Sequence, residues 1–578
     1  MTAIITPVRL AARTGAKLPL PSRNALTAGA LLLALLAVGL WSLSGVGLSW
    51  QQIARGVDYA GSFLARAVPF VWPSIPEILW LSALTLAIVF CGTAMAAIIS
   101  IPVAYLAARN TTPTRLGGAL GRFLGVATRA APDAIMAMIF AMVIGQGALA
   151  GVLALGIHSV GMISKLTADA IEQVPDGPRL ALRAAGATKS QEFWGAVWPQ
   201  ILPAFIAIVL HRADINLRVS VILGFVGVAG LGQQLSIAMQ TLNYREALPF
   251  AIIIFVLCVA FEIVSALIRR FLLGAPVARR TLAHRFVRAL PGAEAGAGQN
   301  AGPSGQSATK GRSLGRAAGA GRVPWTADRL KSSALVWGTA TLIGVSIALA
   351  ATQESSFANF WKNLGIAAAR LWPPALPPEK WEATAVALTE TVQIAFAATL
   401  LALVGSLILG VFSARNVAPN PAVRGASRFA LVVIRGLPEL LLALFFIILT
   451  GLGPGAAVLA LAIGGVGLLG KLFADSIEEV DRGPEGALKA VGATRTQVFT
   501  AATFPQATPA LVGHTLYLLD TNIRSATVLG IVGGGGIGYM LSSAARINQH
   551  ELLALLLCVL VIVFAVEGLA SWLRRLIA

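Results

Sequence analysis

The chain repeats itself. Residues 161–232 lie on residues 467–538 without a gap: Lys165 falls on Lys471, Gly186 on Gly492, Pro199 on Pro505, Asp214 on Asp520 and Arg218 on Arg524, all at one constant offset. The register reaches back to Ala108-Arg109-Asn110 over Ala414-Arg415-Asn416 and slips by a single residue only after Gln233. An internal duplication of this length defines the unit of the fold. Each copy carries several long apolar runs, so the unit is a membrane domain and the chain holds two in tandem.

Hydrophobic residues make up 57% of the sequence and charged ones 12%, a balance foreign to ordinary soluble domains. Runs at 25–41, 83–107, 247–267, 334–351, 394–412 and 552–570 approach or reach the length of about 20 apolar residues that crosses a bilayer. Shorter or polar-interrupted spans follow Pro132, Gly151, Pro203, Pro438, Pro454 and Pro509. The expectation is an all-α polytopic membrane protein with about six spans per half, about twelve in all. The halves are 1–271 and 327–578. Between them, 272–326 is rich in Gly, Ala, Ser and Arg and has no apolar periodicity, which reads as a flexible cytoplasmic tether whose arginines touch anionic headgroups. The run at 25–41 reads as a retained span, because no small-residue cleavage site precedes Trp41 and Trp50.

The net charge of +19 invites a nucleic-acid reading, but its placement points to lipid. Arg9, Arg13, Lys17 and Arg23 precede the first span; Arg109, Arg115, Arg122 and Arg129 follow the second, and Arg415, Arg424, Arg428 and Arg435 repeat that cluster. Arg574-Arg575 closes the chain, while the loops near 49–78 and 353–382 are balanced in charge. This alternation follows the positive-inside rule and places both termini in the cytoplasm of a multi-pass plasma-membrane protein, with no nucleic-acid partner. Cys91, Cys258 and Cys558 all sit in apolar runs and read as packing residues. The five histidines are scattered without metal-ligand spacing.

One hydrophilic excursion interrupts each half, at 166–199 and 473–505, with the same internal grammar. A helical run (ADAIEQV, ADSIEEV) ends in the turn Pro175-Asp176-Gly177-Pro178, matched by Asp481-Arg482-Gly483-Pro484. Pro178 and Pro484 suit the first turn of a helix, where a missing N–H costs nothing. A short helix follows, and Gly186 or Gly492 stands where a glycine lets the chain reverse. Thr188-x-x-Gln191 and Thr494-x-x-Gln497 then read as capping boxes. A helix this short does not stabilise itself, so two copies of it point to a docking partner.

The pattern A-L-x-A-x-G-A-T followed by P-Q-x-x-P resembles the EAA loop of binding-protein-dependent ABC importer permeases, on Ala181, Gly186 and Pro199 and on Ala487, Gly492 and Pro505. The name-giving glutamate is absent: Leu180 and Gly486 stand there, with Glu485 one residue away. The segments G-L-L-G-K-L-F-A-D-S-I-E-E-V and D-x-N-I-R-S-A-T-V-L-G-I-V-G-G-G-G-I-G resemble the phosphonate-transporter (PhnE-like) permeases, the second half more closely than the first. The resemblance implies two fused type I importer (MetI-like) transmembrane domains. It implies that each excursion, including Gly177 and Gly483, is a coupling helix seated on a partner ATPase dimer. That dimer would hold the ATP and magnesium; no cofactor or enzymatic activity is expected of this chain. A substrate-binding protein of phosphonate type would deliver a phosphorus oxyanion from outside.

Asp214, Asn216 and Arg218, with Asp520, Asn522 and Arg524, fall in otherwise apolar spans, where such groups must face protein or a water-lined path. Asp and Arg four apart share a helical face and can pair, so structural pairing and anion contact both stay open. With the hydroxyls of Ser220, Ser525 and Thr527, the two arginines would suit a phosphonate or phosphate approaching a pseudo-twofold axis. Other motifs fail. Gly465-x4-Gly470-Lys471 has Leu472 where a P-loop needs Ser or Thr, and Gly533–Gly538 follows a membrane span, which suits a tight bend better than a nucleotide site. An ion-coupled secondary transporter of the major facilitator type, with Asp214 and Asp520 as coupling carboxylates, is the alternative. It gives no reason for a structured hydrophilic helix in each half.

Overall fold

A computed structural model describes residues 23–47, 67–130, 132–273, 327–352 and 360–577, with isolated positions between 56 and 65. Nearly all of the expected linker, and Arg9, Arg13 and Lys17, lie outside the described residues. The first half runs α1 (Arg23–Gly45), α2 (Ile75–Ala107), α3 (Arg115–Ala130), α4 (Asp133–Ile144), α5 (Ala148–Glu172), α6 (Gly177–Ala184), α7 (Lys189–Glu192), α8 (Trp198–Gly224), α9 (Leu231–Gln240) and α10 (Tyr244–Leu273). The second half runs α11 (Ala327–Ala351), α12 (Phe360–Leu371), α13 (Trp381–Ser413), α14 (Pro421–Gly436), α15 (Glu439–Thr450), α16 (Pro454–Glu478), α17 (Arg482–Ala490), α18 (Arg495–Val498), α19 (Phe504–Ile531), α20 (Ile537–Ile547) and α21 (Gln549–Ile577). Among the described residues there is no strand.

Eight helices are long and apolar enough to cross a membrane, or ten if each of two bent pairs counts as one span; α11 adds a further apolar helix that is only partly described. The bent pairs are α3–α4, at 84°, and α14–α15, at 88°. Proline is the cause: it disfavours helical geometry at the residue before it, and Leu437, before Pro438, is extended at ψ 122°. The repeat therefore reproduces even its breaks.

Within each half, small residues let helices approach. A Cβ on Gly92 of α2 would meet the Val152 carbonyl oxygen of α5 at 3.1 Å, and one on Gly410 of α13 would meet the Gly470 carbonyl oxygen of α16 at 2.9 Å. In lipid, where apolar burial offers no gradient, such close packing is what joins helices. The halves interlock. α1 packs on α13 and α21 of the second half, with Gly39 against Leu400, while α11 packs on α2 of the first. One buried core joins Leu84, Ile88, Leu217 and Val221 with Leu461, Val528 and Leu529.

Candidate functional site

The two hydrophilic excursions fold alike. α6 has no buried residue and α17 has only Glu485, so both are presented to the outside of the bundle. Each ends in a Schellman motif. Gly186, at φ +83°, donates its N–H to Arg183 O, and Ala187 donates to Leu182 O; Gly492, at φ +84°, donates to Lys489 O, and Ala493 to Leu488 O. Both capping boxes are formed, Thr188 with Gln191 and Thr494 with Gln497. Pro178 and Pro484 sit in the first turns of α6 and α17, where Asp481 also caps the Gly483 N–H and Gly177 opens α6. Ala181 and Ala487 accept the N–H groups that close each helix, from Ala185 and Val491.

One turn further on, each half has a π turn, Phe193–Val197 and Phe499–Thr503. Pro199 and Pro505 lack the N–H that would close an ordinary turn, and the preceding residue reaches one position further back, Trp198 N–H to Phe193 O and Phe504 N–H to Phe499 O. The first proline of the loop pattern thus coincides with the π turn through which each excursion enters its long helix.

The excursions are tied down by different charges. Asn110 and Asn416 hold the preceding helix equivalently, their side-chain amides donating to Ile171 O and Ile477 O at 2.8 Å each. In the second half Glu485 is buried and accepts from Asn416 at 3.1 Å and from Thr503 at 2.6 Å. The aligned residue of the first half is Arg179, which donates to the Asn110 carbonyl and to Asp176. Glu485 is therefore an internal anchor one residue from the absent glutamate, and its counterpart has inverted its charge while keeping the same neighbour.

The first half adds a fork of its own: Arg183 Nε and Nη2 donate to the two oxygens of Glu192 at 2.8 Å each, and Arg183 holds the Glu192 carboxyl below the usual carboxylate range. A lowered carboxyl contributes stability that is present above its unfolded pKa and lost as pH falls through the folded one. Glu192→Gln is expected to raise amide exchange in 177–188 several-fold at pH 7, whereas the native chain should match it only once the pH falls below the ordinary carboxylate range. Equal exchange at pH 7 would mean that the fork does not hold α6.

Inside the span, both Asp–Arg pairs close within their helices, Arg218 to Asp214 at 2.6 Å and Arg524 to Asp520 at 2.9 Å. Arg218 also donates to the carbonyl of Arg435 in the other half at 2.8 Å. Arg435 in turn lies 3.5 Å from His211 Nδ1, and its repeat partner Arg129 pairs with Glu567. These arginines therefore stitch the two halves together. Asn216 and Asn522 bolt α8 to α2 and α19 to α13 through Thr93 and Thr399, at 2.9 Å in both halves. Ser220 and Thr527 spend their hydroxyls on Leu217 O and Ile523 O of their own helices. Ser525 lies beside the Glu439 carboxyl.

Sequence reading passed over Arg212. It is 5% exposed on α8, and its Nε donates to Ser159 Oγ at 2.8 Å. The signal was available: at the aligned position of the other copy stands Leu518, so one repeat carries a charge in its span that the other does without. The glycine-rich run at 533–538 forms a tight bend, as expected. Gly536 and Ile537 donate their N–H groups to Glu390 and Thr391, and a Cβ on Gly538 would meet the Thr527 carbonyl oxygen at 2.0 Å.

The family model for a binding-protein-dependent transport system inner membrane component matches the chain twice, over residues 100–274 and 406–578. The phosphate-import permease protein PhnE of Mycolicibacterium smegmatis is 37% identical over 524 residues, covering 90% of this chain and 89% of that protein. The phosphite transport system permease protein PtxC of Stutzerimonas stutzeri is 37% identical over 248 residues, 43% of this chain and 87% of that protein. Among solved structures, an inward-facing MetNI methionine ABC transporter aligns at 20% identity with a TM-score of 0.33, covering 35% of this chain and 100% of that one. Two matched domains in one chain, and a full-length relative, make this a PhnE-like, multi-pass inner-membrane ABC importer permease whose two halves are fused, a member of the binding-protein-dependent transport family.

Proposed function

We propose that this permease carries a phosphorus oxyanion (phosphate, phosphite or a phosphonate) inward, driven by an ATPase dimer that grips α6 and α17 and supplied by an extracytoplasmic binding protein. The observation that carries the reading is the pair of exposed short helices, each fixed at both ends by Schellman and capping-box hydrogen bonds, where apolar Leu180 (51% exposed) and Val491 (80% exposed) await a partner. Relatives named for phosphate and phosphite supply the substrate class. ATP and magnesium belong to the partner; α6 and α17 transmit its closure and opening to the spans. The positive-inside pattern then puts the excursions and both termini in the cytoplasm.

The test is ATP hydrolysis by the reconstituted permease with its ATPase, with and without the binding protein loaded with phosphate or methylphosphonate. Loaded binding protein should stimulate hydrolysis several-fold and empty binding protein less. Uptake that needs no ATPase and follows an ion gradient would instead support the facilitator mechanism.

A further inference from the structure

We infer that Arg212 is the residue that contacts the travelling oxyanion at the junction of the two halves, and that the pathway is asymmetric, with this contact supplied by the first half only. The inference rests on the phosphorus-oxyanion reading above.

Arg218 and Arg524 are each neutralised by an aspartate one turn away. Arg212 forms no ion pair among the described residues, and its Nη2 is buried without a hydrogen-bond partner. Asp133, at the start of α4, accepts the Ala134 N–H at 3.0 Å. An unpartnered guanidinium donor therefore sits on the helix that meets the second half through His211 and Arg218, both of which reach Arg435. Planar donors of this kind bind phosphorus oxygens in pairs.

A structural role would be the plain alternative, and the duplication answers it. Arg212 is carried by a buried chain in which it donates to Ser159, Ser159 to Asn216 at 3.1 Å and Asn216 to Thr93 at 2.9 Å. The second half keeps Asn522 and Thr399 but has Leu518 and Gly465 for the arginine and serine; a Cβ on Gly465 would meet Leu518 at 3.1 Å. Both members of the pair changed together. The same fold thus closes with leucine on glycine, so packing does not require an arginine there. A buried donor without a partner is costly in a membrane, and a site retained at that cost marks function.

The decisive variant copies the second half into the first: Arg212→Leu with Ser159→Gly. Proteoliposomes with the ATPase and binding protein would be supplied in turn with labelled phosphate, phosphite and methylphosphonate. The double variant should insert, melt no lower than the native chain, and take up the anion at least tenfold more slowly; Arg212→Lys should recover part of that loss. Uptake at the native rate would overturn the assignment. So would failure to insert or a lower melting temperature, since Arg212 would then be holding the fold. A native chain that carries none of the three anions would overturn the substrate class instead, and the ligand of Arg212 with it.

Discussion

Gly186→Pro combined with Gly492→Pro is expected to leave the chain in the membrane and reduce ATP-driven uptake to background. Both glycines hold φ near +84°, where proline, fixed near −65°, does not fit. Proline also removes the N–H groups that Arg183 O and Lys489 O accept, so each Schellman motif loses a bond as well as its geometry. Nothing lies within 4 Å of a Cβ at either position, so the damage stays in the excursions and the spans are untouched. That open space supplies the control. Gly186→Ala with Gly492→Ala meets only the left-handed strain, about 1–2 kcal/mol per site, and should slow uptake without abolishing it. Uptake by the proline variant at the native rate, with normal amounts of protein in the membrane, would show that α6 and α17 do not couple the ATPase to the pathway.

The sequence made those excursions legible because their instructions are local. A proline in the first turn, a glycine at the reversal and a Thr-x-x-Gln box each act within four residues, and all three appear in the structure as read. The Asp–Arg pairs were legible for the same reason, since four residues make one helical turn. What was missed depends on distance. That α1 would pack on the second half and α11 on the first follows from how the halves assemble, which no pattern inside one half records. The bond from Arg218 to Arg435 belongs to the same class. Glu485 was visible as a near neighbour of the absent glutamate, but not its role, and Arg179 escaped notice, because both tether an asparagine 69 residues away, and opposite charges do this equally well by donating or accepting. Arg212 was hidden by attention to what the copies share. Its meaning lies in a mismatch, and a mismatch becomes informative only when its neighbour, Ser159 against Gly465, is seen to change with it.

Arg218→Met should be among the most destabilising single changes in the chain. It leaves Asp214, whose side chain is 6% exposed, as a buried carboxylate without its partner, a loss of about 3–5 kcal/mol when one member of a buried pair is removed. It also cuts the bond to the Arg435 carbonyl and so weakens the seam between the halves. Removing both charges is a different experiment. Asp214→Leu with Arg218→Met leaves no orphaned ion, and an apolar pair of similar volume is often as stable as the ions it replaces. The double variant should therefore melt well above the single one, short of the native chain by the lost cross-half bond. In the second half, Arg524 closes on Asp520 inside α19, and Asp520→Leu with Arg524→Met should approach native stability more closely. Thermal unfolding of the four purified proteins in one detergent measures all of this. If Arg218→Met and its double variant melt together, the pair is not what stabilises this seam; if the two double variants melt together, the bond to Arg435 contributes nothing. The ordering native, second-half double, first-half double, single is what a paired helix that also clasps its neighbour requires.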